Sequence, residues 1–475
     1  MASVRKSLAI SFADKYSVMV IQFISTLILA RLLTPEEIGI FSVAAVIIGF
    51  AQMIRDFGVA NYLVAEKELT TTRIRTALGV TLIFAWLMAI IIYTTKGYIA
   101  DFYDEPGVEA VLIVLSISFI LIPFNSTVLG LLRRELRFDI IFKISLISAL
   151  CHACTAIVLA YNDFGFISLA WASLAGTIGT ILIAILHKPS NAQFIPSLKE
   201  FKRVFSFGSS SSAASLISEA GLSTPDLAIG RNLGFNSLGF YSRAMGLIGI
   251  FNKLITSAVQ PIVLPAFSEK HRNNESLRDP YLKIFSYFSA LSWPFFLMLA
   301  ITTLPVIRLL YGDQWDEAAP IARILCISFA LQPFFYFSNP GLIAIGKIHS
   351  VLIAQLSLQT PRIILTIYAS FYDLFYVAWV QVVFSVACII YFHVLFHRKI
   401  DVSSRDLITS SSKSIMVTII SVAPPYYLLN SYEDLNVIAI YLLWAFLWLI
   451  GIFIVKHPIC YELSTYIKRI LHKQT

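Results

Sequence analysis

Charge is scarce in this chain. Asp, Glu, Lys and Arg together make up 13% of its 475 residues, against roughly a quarter in a soluble domain, which excludes a globule solvated by water. Cysteine is thinner still, and five residues without paired spacing exclude a disulfide framework. The run Cys151-His152-Ala153-Cys154 lacks the CxxCH order of a haem attachment and has no companion cluster, so it reads as small side chains packed within an apolar helix. No GxxxxGK[ST] loop is present, which removes an ATP-binding P-loop as a source of work. No general acid–base pair or activated nucleophile stands out, and no metal or other cofactor is implied.

What the chain has instead is hydrocarbon. Hydrophobic residues make up 57% of it, its mean hydropathy is +0.77, and the apolar runs are long. A bilayer offers no water to open backbone groups, so such runs must be helices. The expected fold class is an all-α integral membrane protein of about fourteen transmembrane helices. In order the spans are 8–30, 36–54, 76–96, 108–131, 141–161, 165–186, 204–229, 236–260, 283–307, 321–345, 349–371, 374–396, 411–430 and 435–455. The first carries Asp14, Lys15 and Gln22 and is followed by no small-residue cleavage site, so it is expected to be retained rather than removed as a signal.

Charge placement orients these spans. With the N-terminus inside, cytoplasmic loops hold Arg73, Arg75, Arg133, Arg134, Arg137, Lys199, Lys202, Arg272, Arg278, Arg398 and Arg405. The opposite loops hold Asp101, Asp104, Glu105, Asp313, Asp316, Glu317, Glu433 and Asp434. That is the positive-inside pattern. Both termini are therefore expected in the cytoplasm, and the net charge of +8 reflects topology rather than a nucleic-acid partner.

One stretch occurs twice. Leu29 to Phe50 and Ile229 to Ile250 align without a gap, matching Arg31 with Arg231, Leu33 with Leu233 and Gly39 with Gly239. Ser42, Ala44, Ile48 and Gly49 also meet identical residues two hundred positions on, and Phe41 meets Tyr241. Composition alone predicts about two matches in such a window, so the chain reads as a duplication. Six helices separate the copies. Both therefore enter the membrane from the same side, as in parallel-repeat transporters. The expected domains are a six-helix bundle at 1–195, a second at 196–398, and an appended helix pair with a cytoplasmic tail at 399–475.

The runs ARLLTPEEIGIFSVA (30–44), RDFGVANYLV (55–64), DLAIGRNLGFNSLGFYSRA (226–244) and LLYGDQW (309–315) carry a family likeness. The chain resembles the bacterial polysaccharide export (Wzx-type) flippases of the multidrug/oligosaccharidyl-lipid/polysaccharide exporter superfamily, most strongly across 1–320. The resemblance implies a carrier, not an enzyme, in the bacterial inner membrane. Such a carrier would move an undecaprenyl-pyrophosphate-linked oligosaccharide from the cytoplasmic to the periplasmic leaflet by alternating access. It implies a central cavity lined by the first, second, seventh and eighth helices; with no P-loop present, any driving force is expected from a gradient, H+ or Na+ being the candidate coupling ion. Membrane lipid and other polysaccharide assembly proteins are its candidate partners, and a monomer suffices.

A diphosphate substrate needs cations at depth, and an intramembrane Lys or Arg costs about 2.5–3.5 kcal/mol on insertion scales, so it usually faces a cavity or a partner. Arg362 is the first candidate, mid-span behind Pro361 and near Gln355 and Gln359. Its structural alternative is pairing with an interior carboxylate or carbonyl. Lys15 and Lys253 are the others, with snorkelling to the headgroups as their alternative. Arg243 is expected to snorkel at the outer face, and Arg55 to pair with Asp56. Arg31 and Arg231, with Asp226, are gate or turn candidates.

The seventh helix is rich in serine, and Ser209, Ser212, Glu219 and Ser223 fall on one face. Glu219, with Asp14 second, is the ion-coupling candidate; a buried salt bridge is the alternative. Two rival functions remain. A multidrug or organic-cation antiporter of the same superfamily would use the carboxylates. A membrane glycan polymerase or ligase would need a long outer loop, which this sequence lacks.

Overall fold

The computed structural model describes residues 2–460, apart from 57–58, 67, 190–191, 193–194, 274 and 433–435. Side chains at 2–9, 11–12, 56, 60–61, 65, 203, 205–215, 250–251, 255, 257–262, 264–266, 348 and 399 are also outside the description. The helices run in order as α1 (Ala2–Leu32), α2 (Pro35–Asp56), α3 (Val59–Ala65), α4 (Thr71–Tyr103), α5 (Pro106–Leu121) and α6 (Pro123–Arg134). There follow α7 (Phe138–Tyr161), α8 (Ile167–Leu186), α9 (Phe201–Asn232), α10 (Gly234–Arg272), α11 (Arg278–Ile301) and α12 (Thr303–Leu310). The last are α13 (Ala318–Ala330), α14 (Ser338–Ala344), α15 (Ile348–Ala369), α16 (Leu374–Ile400), α17 (Ser404–Ser431) and α18 (Val437–Ile454).

Each expected span falls on helix among the described residues, with 108–131, 283–307 and 321–345 each divided between two helices. Eleven helices among the described residues are long and apolar enough to cross a membrane, and the bent pair α5–α6 brings the count to twelve. The other two expected spans lie on α9 and α10, whose side chains are in part outside the described residues. The α5–α6 pair bends by 52° at Pro123, where the N–H groups of Asn125 and Ser126 both turn to the Ile122 carbonyl at 3.0 and 3.1 Å and begin a new helix. Proline removes the N–H that would have continued the ladder.

The chain folds as two compact units, Met1–Ser242 and Arg243–Thr475. In the first, α7 lies along α8 through small residues. A Cβ added at Gly176 would sit 3.3 Å from His152 Cβ, and one at Gly179 would sit 3.1 Å from Cys151 Sγ. The Cys151–Cys154 run is thus helix-packing surface, as its composition suggested, and Ser148 Oγ donates to Gly176 O at 2.9 Å across the same seam. Tyr62 and Leu63 of α3 pack with Val80, Leu131 and Ile144 in one buried cluster. Arg134 clamps the end of α3, donating to the carbonyls of Leu63 (3.0 Å) and Glu66 (2.5 Å). Between α4 and α5 runs an apolar groove of about 570 Å³, lined by Trp86, Tyr93, Ile113, Ile117 and Ile120 among others. Trp86 Nε1 donates to the Ile120 carbonyl at 3.4 Å, just before the bend.

The second unit has an aromatic core. Phe267, Tyr281, Phe288, Phe337, Phe392 and Phe396 are all buried in it, and Tyr281 meets Phe396 edge-on at 5.0 Å. Its last helix pair is tied to α11 by hydrogen bonds. Ser289 Oγ donates to Ser414 Oγ at 2.9 Å, and Trp448 Nε1 donates to Ala290 O at 2.9 Å. Thr302 and Tyr441 hydroxyls meet at 2.9 Å. Just past α18, His457 is 1% exposed. The Ile459 N–H donates to its Nδ1 at 3.3 Å, which leaves Nε2 as the donor toward Ser286 (3.1 Å) and Ser414 (3.3 Å).

Candidate functional site

The duplicated stretch meets itself inside the first unit, where the start of α10 crosses α2. A Cβ on Gly39 would lie 2.0 Å from Phe235 O, and one on Gly239 would lie 2.0 Å from Pro35 O. The pairs are the same two positions read from either copy, so the contact has a local two-fold character. Near it, Ser242 Oγ donates to Ser42 Oγ at 3.2 Å, while Ser42 donates to Ile38 O within its own helix. The first copy enters α2 through a Thr34–Glu37 capping pair, with Thr34 N to Glu37 Oε2 at 2.8 Å and Glu37 N to Thr34 Oγ1 at 3.3 Å. The second copy uses Gly234 at the matching position, with φ +83°, which glycine adopts without steric cost.

The matched arginines lie beside this crossing. Arg231 Nη1 donates to Asp104 Oδ2 at 2.7 Å and its guanidinium carbon sits 5.0 Å from the Phe102 ring. Asp104 itself is in a left-handed conformation, φ 53°, ending α4. Arg231 therefore fastens the C-terminal end of α4 to the end of α9. Arg31 is exposed at the end of α1.

On α9 the structure joins two sequence candidates on one helical face. Ser223 Oγ donates to Glu219 Oε1 at 2.9 Å, and Asp226 follows one further turn along, close enough for the two carboxylates to repel each other. The side chains of Ser209 and Ser212, expected on that face, lie outside the described residues. Asp14 on α1 accepts a hydrogen bond from Ser145 of α7.

Arg362 is buried, 8% exposed, between α15 and α16 of the second unit. Its Nε and Nη2 donate to Gln381 Oε1 at 3.0 and 2.6 Å, and Nη1 donates to Gln359 Oε1 at 3.3 Å. Phe384 lies under it at 4.5 Å. Gln355 and Gln359 join in the same row. The sequence indicated Gln355 and Gln359 but not Gln381, which comes from the next helix. Lys15 and Lys253 are exposed on α1 and α10. The structure therefore gathers Arg362 with glutamines.

One arginine differs from its sequence reading, and another has its expected partner outside the described residues. Arg243 does not snorkel; it is buried under Tyr311 and Trp315. Arg55 is buried over Phe119 at 5.5 Å, while the Asp56 side chain lies outside the described residues. Among the described residues no three His, Cys, Asp or Glu stand together as a metal site.

This architecture is that of a multi-pass membrane protein with the fold of the multidrug and lipid exporters. A solved structure titled lipid II flippase MurJ, inward closed conformation, superposes with a TM-score of 0.76 over 94% of this chain and 98% of its own, at 14% identity. An inward-facing multidrug resistance MATE transporter of the MOP superfamily gives 0.58 over 80% and 95%, at 16% identity. The family is fixed by sequence: a family model described as polysaccharide biosynthesis protein matches residues 28–320, and the chain belongs to that family. Among curated relatives, the lipopolysaccharide biosynthesis protein WzxC of Escherichia coli is 23% identical over 63% of this chain and 61% of its own length. The succinoglycan biosynthesis transport protein ExoT of Rhizobium meliloti is 26% identical over 69% and 66%. The match thus spans about three fifths of WzxC and two thirds of ExoT. A transport protein and a flippase stand among these relatives and fold neighbours, and no enzyme of known reaction does.

Proposed function

We propose that this chain is a flippase that carries an undecaprenyl-diphosphate-linked oligosaccharide from the cytoplasmic to the periplasmic leaflet of the bacterial inner membrane. It works by alternating access. The observation that carries the reading is that polysaccharide-family membership over 28–320 comes with a likeness to a lipid-flippase fold over 94% of the chain. The chemistry agrees. Arg362, Lys15 and Lys253 supply cations for a diphosphate. The Arg362 guanidinium is held there by glutamine carbonyls. Glu219, with its serine donor, and Asp14, which has Lys15 beside it, are the coupling carboxylates, both half-buried on apolar helices where a carboxylate is expensive unless it is protonated, paired or hydrated.

The MATE fold neighbour and the paired carboxylates of α9 favour a second reading, an organic-cation antiporter. One experiment separates the two. On depletion of the chain in its host, lipid-linked oligosaccharide is expected to accumulate on the inner leaflet while resistance to cationic drugs is unchanged. Normal glycan export without a redundant exporter, or drug sensitivity alone, would overturn the flippase reading.

A further inference from the structure

The second unit holds a buried cation that the proposed pathway leaves unused. Arg243 is 8% exposed, and its guanidinium carbon lies 4.6 Å from the ring centre of Trp315 and 5.0 Å from that of Tyr311. Both rings are themselves buried. Aromatic faces hold a desolvated cation well, yet they fix its position without neutralising it. Two carboxylates of the adjoining loop are engaged elsewhere. Arg308 donates to both oxygens of Asp316 at 2.6 to 3.1 Å, and Asp313 acts on the same arginine. Among the described groups no carboxylate acts on Arg243.

Two polar atoms are left open in this place. Arg243 Nε and the Tyr311 hydroxyl are both buried without a hydrogen-bond partner. Native interiors rarely leave one such group unmet, and the cost rises when the group is charged. A water would meet the hydroxyl but not the charge. A phosphate oxyanion meets both, because the planar guanidinium fork matches its oxygens.

We propose that Arg243, with Tyr311 and Trp315, forms an oxyanion subsite that receives a phosphate group of the carried lipid near the outer end of α10. The proposal rests on the flippase reading and adds a station to it. The shared chemistry is a phosphate oxyanion, either on an isoprenoid lipid or free in solution.

The test uses the purified full chain in detergent with three probes: farnesyl diphosphate, inorganic pyrophosphate and farnesol. Farnesyl diphosphate is expected to bind, and Arg243→Gln to weaken it about tenfold or more, the range of a lost charge-assisted hydrogen bond. Tyr311→Phe keeps the ring face, removes only the hydroxyl, and is expected to weaken it severalfold. Farnesol affinity is unchanged in both. Pyrophosphate binding with the same losses assigns the site to any diphosphate; binding of farnesyl diphosphate alone assigns it to the lipid. Should Arg243→Gln fail to fold, Arg243→Lys and Tyr311→Phe carry the comparison. Unchanged farnesyl diphosphate affinity beside a lowered melting temperature makes the stack a structural pillar and overturns the subsite. Leaflet transfer of lipid-linked oligosaccharide in proteoliposomes separates the two levels. Loss of transfer in the wild type removes the flippase reading, whereas transfer and affinity intact in both variants remove only the subsite.

Discussion

Replacing Gly39 with alanine tests the crossing of α2 and α10 directly. The new Cβ would lie 2.0 Å from Phe235 O, and the next nearest atoms, at 2.7 and 2.9 Å, are also backbone. Carbon–oxygen contacts between helices settle at about 3.3–3.6 Å, so the helices must part by about 1.3 Å or more, with no flexible side chain to absorb the shift. Overpacking of this kind costs about 1–3 kcal/mol. Taking about 2 kcal/mol, the ratio of packed to parted crossing falls about 30-fold. The assay is a cysteine pair, Ser42→Cys with Ser242→Cys, whose parent hydroxyls are 3.2 Å apart, in a background freed of the five native cysteines. Oxidation should cross-link the pair readily, and adding Gly39→Ala should slow cross-linking by about that factor. Gly239→Ala should do the same through Pro35. Equal cross-linking rates and melting temperatures with and without Gly39→Ala would refute the reasoning.

Three further outcomes are expected. Burial, with Lys413 adding to it, pushes the His457 imidazole down to about 4, so the unfolded state takes up its proton first as pH falls below its ordinary value of about 6.5. Stability should therefore decline from about pH 6.5 to 4, measured by thermal unfolding, and His457→Asn should flatten that slope; a slope identical in the variant would remove His457 from the account. Glu219→Gln should abolish the response of transport to an imposed proton or sodium gradient, and a variant that responds like the wild type rules the residue out. Asp104→Asn removes the partner of Arg231, but Asp104 is largely exposed and the cation keeps its Phe102 contact; the loss in unfolding free energy should stay below about 1 kcal/mol.

The helices were legible because hydropathy and length are local properties. At Pro123 the sequence marked only a candidate kink beside Asn125, since Pro225, Pro294, Pro361 and Pro424 sit inside unbroken helices; the turn of two N–H groups onto one carbonyl distinguishes the break. The duplication was visible as an alignment, yet nothing in the alignment said that Gly39 and Gly239 would each abut the other copy's backbone. Arg362 was marked by its depth and its nearby glutamines. Its strongest hydrogen bond comes from Gln381, one helix further on, which periodicity within α15 could not reveal. Arg243 misled because proximity to a membrane face usually means snorkelling; the rings that capture it arrive after α11 and α12, in the LLYGDQW run noted for family likeness alone.

The channel between α4 and α5 has a bearing on handling the molecule. Nearly all of its wall is hydrocarbon, and Ile90, Tyr93 and Trp86 present broad exposed faces along it. In a bilayer, neighbouring acyl tails supply the dispersion contacts that such a wall otherwise forfeits. Exhaustive delipidation would strip that packing from one side of a helix pair, so short-chain detergents should soften the protein before long-chain ones do.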